Sequence, residues 1–402
     1  MKGLLGLGLR ASTLGGKVLL MLYLTHAYGV SVVGAYGILV SIISFSVYLS
    51  GLELYSLLLK SYTGTQRGSC FAYTNQMFFS LFSSLIVSFS VVIYMHQYFP
   101  YKGVTIFAML LTVTEVLLQE YHRILLAKGR ATIANILLFV RNGVWCYFIL
   151  IFLFYIKVSD EKIVSFISFC WLCANLIALC FVFLYAKYNL ILSFTKISFK
   201  ILYFLIRKSV PIFISSIFIR VIVSLDKVLL SHFTSLSIVG VYTFYTSIGN
   251  ALQALLDAGM ISYKYKDILF VSRQRKAVEF MVYIKKLYFT SLICMASIFL
   301  ASLLFFTIFN YNDYYEYAFA LLIVLISSSL QSLGALFKQY AIMNFRSSIL
   351  KAGLLSFAVF LIACGTYKVL HLGPIYTIAI SVLFASFSYI LYLWKWLKKA
   401  NE

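Results

Sequence analysis

Five cationic side chains interrupt long apolar stretches of the chain. Arg10 and Lys17 are seven residues apart, and so are Arg220 and Lys227. Seven residues are about two helical turns, so the members of each pair share one helix face. If these stretches cross a membrane, each charge costs at least ~2.5 kcal/mol to insert and must face protein or water. Together with Arg141, the two pairs predict a positively charged cavity that holds an anion.

Each of these cations also has a purely structural interpretation. Arg10 could extend its charge to the nearby membrane surface, and Lys227 could extend outward or pair locally. Lys17, Arg141 and Arg220 lie too deep for that, so their alternative is a buried structural ion pair.

The stretch around Glu115 carries three polar groups on one face. Gln119 and His122 follow Glu115 at four and seven residues. Such a row predicts either a proton path or a buried hydrogen-bonded stripe, with His122 at the membrane interface.

Three further carboxylates lie within or beside apolar stretches. Asp226 predicts an ion pair with Lys17 or Arg220 that changes partner between two states. Glu53 and Asp257 occupy roughly matching positions in the two halves of the chain. They predict gate contacts that close one side of the cavity, or residues that only flank the membrane interface.

The elements that must position these residues are apolar helices. Of the 402 residues, 62% are hydrophobic and 11% are charged, whereas a soluble protein carries roughly a quarter charged residues. Runs of about twenty apolar residues follow one another, each long enough to cross a hydrocarbon core as a helix. The chain is therefore predicted to be an all-α polytopic membrane protein. Its predicted spans are 4–28, 31–60, 71–95, 103–126, 133–156, 163–186, 209–230, 237–261, 283–309, 315–342, 348–370 and 373–396.

The basic residues predict the orientation of these spans. Most of the 33 Lys and Arg residues fall at the two termini and in the loops after even-numbered spans. Positive residues stay on the cytoplasmic side of a membrane. Both termini are therefore predicted to be cytoplasmic, in a protein that spans a bacterial inner membrane. Because the charge is spread over short loops, the net charge of +21 does not indicate nucleic-acid binding. The two longest loops, about 187–208 and 262–282, are either amphipathic segments on anionic membrane lipids or solvated loops.

One passage occurs twice. Residues 24–42 and 230–248 are identical at eight of nineteen positions without a gap. Each copy covers the end of one predicted span, a tight turn and the start of the next. The repeat predicts two parallel six-helix lobes, 1–190 and 209–402, joined by a linker at 191–208 and working by alternating access. Gly34 and Gly240 follow the turn in each copy, where a small residue lets helices approach closely.

The repeated region also resembles a known family. The sequence PIFISSIFIRVIVSLDKVLLSHFTSLSIVGVYTFYTSIGNAL is similar to the seventh and eighth helices of Wzx-type polysaccharide flippases, of the multidrug/oligosaccharidyl-lipid/polysaccharide exporter superfamily. GAYGILVSI and LLAKGRATIANI resemble two first-half segments of the same family. Lys17 and Lys227 stand where relatives often have Arg, which keeps the charge but loses bidentate geometry.

The resemblance implies a function and a cargo. It implies a flippase that moves undecaprenyl-pyrophosphate-linked oligosaccharide units, of an O-antigen or a capsule, from the cytoplasmic to the outer leaflet. The predicted cationic cavity suits a pyrophosphate that must leave the headgroup region. Proton coupling is expected, since Glu115 and Asp226 can titrate. A polysaccharide polymerase and a chain-length regulator are expected partners, and no catalytic residue, cofactor or metal is expected.

Two other functions remain open. A membrane polysaccharide polymerase needs similar helices, but a large outer loop with catalytic Arg or His residues would be expected, and the outer loops are short. A drug/cation antiporter of the same superfamily is the second alternative, although a cationic cavity suits an anionic cargo better. The Gly-rich start GLLGLGLR lacks the Lys-Ser/Thr of a nucleotide-binding loop.

Overall fold

A computed structural model describes residues 2–62, 66–188, 198–261, 264–309, 311–366 and 373–399. Within these residues the regular structure is helical. The helices are α1 (Lys2–Tyr28), α2 (Val30–Gly51), α3 (Leu54–Tyr62), α4 (Gln66–Tyr98), α5 (Thr105–Ala127), α6 (Ala131–Asn142), α7 (Val144–Tyr155), α8 (Asp160–Tyr188), α9 (Phe199–Ser224), α10 (Asp226–Ser231), α11 (Leu236–Leu256), α12 (Tyr265–Arg273), α13 (Ala277–Ile308), α14 (Asn312–Tyr315), α15 (Ala318–Asn344), α16 (Arg346–Gly365) and α17 (Pro374–Lys399).

The helices coincide with the predicted spans. Within the described residues, each of the twelve predicted stretches contains one helix or two consecutive helices; residues 367–370 of the eleventh stretch lie outside the described residues. Within the described residues, nine stretches are long and apolar enough to cross a membrane by length and composition. The helices at the other three predicted spans, α1, α5 and α11, carry charged or polar side chains such as Lys17, Glu115 and Asn250. The predicted fold class, a polytopic α-helical membrane protein, is confirmed.

Four predicted spans are divided by breaks that the hydropathy pattern does not show. Leu52 and Glu53, with φ of 43° and 56°, separate α2 from α3. Gly143 separates α6 from α7, and Leu225 separates α9 from α10. A π-helical turn, Asp257–Ile261, follows α11. Subtracting the repeat offset of 206 from Asp257 gives Gly51, so both repeats interrupt the second helix at the same register.

The helices form two compact units. The first unit contains the chain up to Tyr28 and from Ile38 to Phe213; the second contains Gly29–Gly37 and the chain from Ile214 onward. The predicted linker lies partly in residues 191–197, outside the described residues. From Phe199 onward the chain is already helical, as the beginning of α9.

The start of α2 packs against the start of α11 within the second unit. A Cβ built on Gly34 would overlap the backbone oxygen of Leu236, and a Cβ on Gly240 would overlap that of Val30. The two repeat-related glycines therefore face one another, and backbone meets backbone at the crossing. The role expected for these glycines, to let helices approach closely, agrees with this geometry.

Replacing Gly34 by Ala is expected to destabilise the protein, because the added methyl group meets backbone that cannot rotate away. Overpacking of this kind costs about 1–3 kcal/mol. Gly15→Ala is the control: a Cβ there meets nothing within 4 Å, and Ala favours a helix over Gly by about 0.5–1 kcal/mol. Thermal unfolding of detergent-solubilised protein should show a lower midpoint for Gly34→Ala and an unchanged or higher one for Gly15→Ala. Equal midpoints would contradict the close crossing.

Candidate functional site

Glu115 is the centre of a buried polar cluster in the first unit. Its side chain is 5% exposed on α5. One carboxylate oxygen accepts hydrogen bonds from Trp171 Nε1 at 2.8 Å and from Asn175 Nδ2 at 3.1 Å, both on α8. The other oxygen lies 3.4 Å from Nε of Arg141, on α6. Glu115 therefore ties three helices together through one carboxylate.

Arg141 and Lys17 bring positive charge to this cluster. Nη2 of Arg141 donates to Oε1 of Gln119 at 3.0 Å. The guanidinium group therefore contacts two side chains of the same α5 face, Glu115 and Gln119. Lys17, on α1, interacts electrostatically with both Glu115 and Arg141. Arg141 therefore pairs with Glu115, and Lys17 lies within electrostatic range of the same carboxylate.

Arg10 and His122 lie close to the same cluster. Nε of Arg10 donates to Oδ1 of Asn135 at 3.1 Å, and the Arg10 side chain is buried within the unit. His122 is 7% exposed, and its Nε2 has no hydrogen-bond partner among the described residues. Arg10, Arg123 and Arg141 all act on His122 electrostatically. His122 thus lies near three Arg side chains, two of which are paired with Glu115 and Glu120.

A second buried carboxylate on α5, Glu120, is not among the candidate residues predicted from the sequence. It is 1% exposed, pairs with Arg123 at 2.7 Å and accepts a hydrogen bond from Gln76 of α4. The Arg123 guanidinium lies 5.8 Å from the ring centroids of Tyr48 and Tyr55. The signal that was available is a Glu and an Arg three residues apart inside an apolar stretch, which is the spacing of a helical ion pair.

Asp226 anchors a polar site in the second unit. Its Oδ1 accepts the backbone N–H of Lys227 at 2.8 Å and lies 3.5 Å from Lys227 Nζ. Its Oδ2 accepts the hydroxyl of Tyr242 at 2.9 Å. Lys227 thus pairs locally, one of the two interpretations open from the sequence. A cavity of about 30 Å³ adjoins this pair and is also lined by Thr246, Asn250 and Gln331.

A larger cavity in the second unit holds Arg220. It has a volume of about 110 Å³ and is lined by residues of α9, α11, α15, α16 and α17. Arg220 and Lys338 both line it, and Lys338 Nζ donates to Oγ of Ser216 at 2.7 Å. Val223 and Gln331 line this cavity and the smaller one. The two cavities are therefore neighbours along one polar row inside the unit.

Lys338 is the functional candidate that sequence reasoning missed. It falls inside predicted span 315–342, close to the end of that span, and is not among the five candidate cations. In the structure it belongs to α15, which continues to Asn344. Gln331 precedes it by seven residues and so shares its helix face, as their common cavity shows.

Glu53 and Asp257 both stand at the helix breaks. Glu53 adopts φ of 56° and its Oε2 accepts a hydrogen bond from Ser56 at 2.7 Å. It also acts electrostatically on Arg123. Asp257 opens the π-helical turn after α11. In both repeats the carboxylate therefore lies where the α-helix is interrupted.

Cations outnumber carboxylates by one at the polar sites described for each unit. In the first unit these are the cations Arg10, Lys17, Arg123 and Arg141 and the carboxylates Glu53, Glu115 and Glu120. In the second unit these are the cations Arg220, Lys227 and Lys338 and the carboxylates Asp226 and Asp257.

Comparison with solved structures identifies the fold. The chain is similar to a MATE transporter crystallised in complex with MaL6, at a TM-score of 0.64 and 14% identity, over 98% of this chain and 94% of that one. An inward-facing MATE family transporter of the MOP superfamily matches at 0.61 and 15%, over 100% and 95%. A MOP superfamily transporter from Pyrococcus furiosus, whose binding pocket is described as having reverse polarity, matches at 0.62 and 13%, over 100% and 96%.

Sequence comparison adds no closer relative. No family model matches the chain, and no curated protein matches it. The structural matches show the fold of MATE transporters of the MOP superfamily, the superfamily to which the Wzx-type flippases named above also belong. The chain is a multi-pass membrane protein with this fold. The matched structures are transporters.

The Glu115–Arg141 pair generates a prediction about stability. Glu115→Gln leaves a buried guanidinium without its carboxylate, and breaking a buried pair in this way costs about 3–5 kcal/mol. Replacing both residues, as Glu115→Gln with Arg141→Gln, is expected to cost less than the sum of the two single changes, because neither charge is then left alone. Thermal unfolding of the four proteins of this cycle measures the coupling. Additive changes would mean that the two charges do not interact.

Proposed function

We propose that the chain is a secondary transporter that carries a lipid-linked oligosaccharide with an anionic, undecaprenyl-pyrophosphate-type linkage from the cytoplasmic to the outer leaflet. The observation that carries this proposal is the positive charge inside each unit. A cavity containing Arg220 and Lys338 favours a phosphate group, because Arg and Lys replace the hydration that the anion loses. A cationic drug would meet repulsion at the same place.

The positive interior supports an anionic cargo in both units. In the first unit the cations of the polar sites outnumber the carboxylates by one, which favours an anionic ligand over a cationic one. The matched Pyrococcus furiosus transporter has this fold, and reverse polarity of its binding pocket is described as suggesting a different function. A difference in pocket charge within this fold therefore has a precedent. The moderate resemblance of the seventh and eighth helices to Wzx-type flippases supports the particular cargo.

The proposed coupling group is Glu115. While ionised, it competes with the cargo phosphate for Arg141; once protonated, it leaves the guanidinium available. The binding of a proton and the binding of an anionic cargo are then linked through one side chain. Asp226 holds Lys227 in the same way in the second unit, and an exchange of partner there would release the ammonium group.

Arg220→Ala is expected to abolish export while leaving the abundance of the protein in the membrane unchanged. Lys338→Gln is expected to reduce export at least tenfold, because it removes the second cation of the same cavity. Lys351→Gln is the matched control, since Lys351 is exposed on α16. Export is measured as surface display of the sugar units in cells whose membrane content of each variant is checked by blotting. Normal export by both cavity variants would remove this cavity from the cargo path.

The identity of the cargo can be tested by mass spectrometry of lipid-linked oligosaccharides in cells lacking the gene, together with a surface assay for a single repeat unit. Complete units trapped on the inner leaflet, with none at the surface, are the expected result. Single units at the surface without polymer would indicate a polymerase instead.

A second candidate, a drug/cation antiporter, is favoured by the structural comparisons. The matched transporters include multidrug resistance MATE proteins, and this candidate agrees with those matches more directly than a flippase does. Cells lacking the gene would then have an unchanged glycolipid pool and a greater sensitivity to lipophilic cations. The same strains distinguish the two candidates.

A further inference from the structure

We propose that a basic corner of the second unit is a docking surface for anionic phospholipid headgroups. The corner comprises α12 and the first turns of α13 up to Lys286, and we call it the α12–α13 corner. It lies apart from the cavities described above, and the proposal does not depend on the nature of the cargo.

The corner is rigidly attached to the unit. Ile268, Val271 and Ser272 of α12 are at most 5% exposed. Asn344, at the end of α15, donates a hydrogen bond from Nδ2 to the backbone oxygen of Ser272 at 2.9 Å. Phe280 of α13 packs against the ring of Tyr340, also on α15, with centroids 4.6 Å apart. Residues on the outer face are therefore held in place and do not belong to a loose loop.

A tight turn fixes the direction of the basic side chains. Arg275 has φ of 57°, in the left-handed region. The backbone N–H of Lys276 donates to the oxygen of Val271 at 3.2 Å, and that of Ala277 to the oxygen of Arg275 at 2.9 Å. The four residues from Arg273 to Lys276 are all exposed, so the turn displays its charges to the surroundings.

The outer face of the corner is strongly basic. Lys276 and Glu279 form an ion pair at 2.8 Å in which both side chains stay about half exposed. Among the side chains of this corner that the structure describes, five exposed cations stand against two exposed carboxylates. The cations are Arg273, Arg275, Lys276, Lys285 and Lys286; the carboxylates are Asp267 and Glu279.

The length of α13 places the corner at the membrane surface. The helix has 32 residues, about 48 Å at 1.5 Å per residue, whereas the hydrocarbon core is about 30 Å thick. The apolar run from Leu287 to Ile308 alone accounts for about 33 Å of this length. Lys285 and Lys286 therefore lie at the level of the headgroups, and the first turns of α13 project beyond the hydrocarbon.

Three large apolar side chains are exposed on this projecting part. Phe270 is 57% exposed, Val278 75% and Val282 62%. Exposure of such side chains to water is unfavourable. In the headgroup region they are buried among lipid, and the neighbouring Lys and Arg side chains contact phosphate groups. Each basic residue near an anionic surface contributes about 1 kcal/mol to the attraction. The combination of charge, exposed apolar groups and membrane level selects lipid as the occupant.

Native mass spectrometry of the full-length protein tests this proposal, with phosphatidylglycerol and phosphatidylcholine supplied in equal amounts. The wild type is expected to retain phosphatidylglycerol preferentially. The triple variant Arg273→Gln, Lys285→Gln, Lys286→Gln should lose that preference by roughly tenfold or more, since it removes three of the contributing charges. The control triple variant Lys157→Gln, Lys162→Gln, Lys351→Gln removes the same charge from exposed positions elsewhere and should keep the preference.

Three outcomes would overturn the proposal. One is an unchanged preference in the corner variant, and another is an equal loss in the control variant. The third is tighter binding of a soluble acidic peptide than of phosphatidylglycerol at the corner, which would make this surface a protein-docking site. Thermal unfolding of both variants, expected to match the wild type, excludes misfolding as the reason for a lost preference.

Discussion

The constraint on which the rest of this structure depends is the placement of cations inside apolar helices. An unpaired charge in such surroundings is costly, so each cation needs a partner from another helix or space for a ligand. Arg141 reaches Glu115 and Gln119 on α5, and Arg10 reaches Asn135 on α6. Lys338 of α15 reaches Ser216 on α9. The charges thus hold helices together, and we propose that some of them also bind an anionic cargo.

The helix breaks place these partners. Gly143 divides the fifth predicted span just after Arg141, and Leu225 divides the seventh just before Asp226. At the second break, the backbone N–H of Lys227, the second residue of α10, donates to the carboxylate of Asp226. A continuous helix would leave that N–H in its own ladder. Interrupted helices beside charged residues are a common arrangement in transporters, since the freed backbone groups line polar space.

Much of the helical framework was predictable because it follows from one-dimensional patterns. Apolar run length located the helices, and the repeat of residues 24–42 at 230–248 predicted related places for Gly34 and Gly240. The spacing of Glu115, Gln119 and His122 correctly predicted one helix face. The division of the chain into lobes and the roles of the charged residues stay predictions, since helix positions alone do not test them.

The partners could not be predicted, because they depend on which helices become neighbours. Trp171 and Asn175 lie more than fifty residues from Glu115 and look like ordinary members of an apolar span. Lys338 falls near the end of predicted span 315–342, and hydropathy places a span end only to within several residues, so the sequence does not show whether this charge is buried. The ion pair of Glu120 with Arg123 was predictable from its spacing. Leu52 and Glu53 lie inside predicted span 31–60, and hydropathy does not mark the break between α2 and α3 there.

The central claim is that the positive interior selects an anionic headgroup, and a competition experiment in lipid nanodiscs tests it most directly. A labelled polyprenyl pyrophosphate would be displaced in turn by polyprenyl pyrophosphate, polyprenyl monophosphate, polyprenol and tetraphenylphosphonium. If the interior selects an anionic headgroup, displacement weakens in that order, with no displacement by the neutral alcohol or the cation. Arg220→Ala is then expected to remove binding of the label. Displacement by tetraphenylphosphonium, with no dependence on the number of phosphates, would contradict the account and identify a cation transporter.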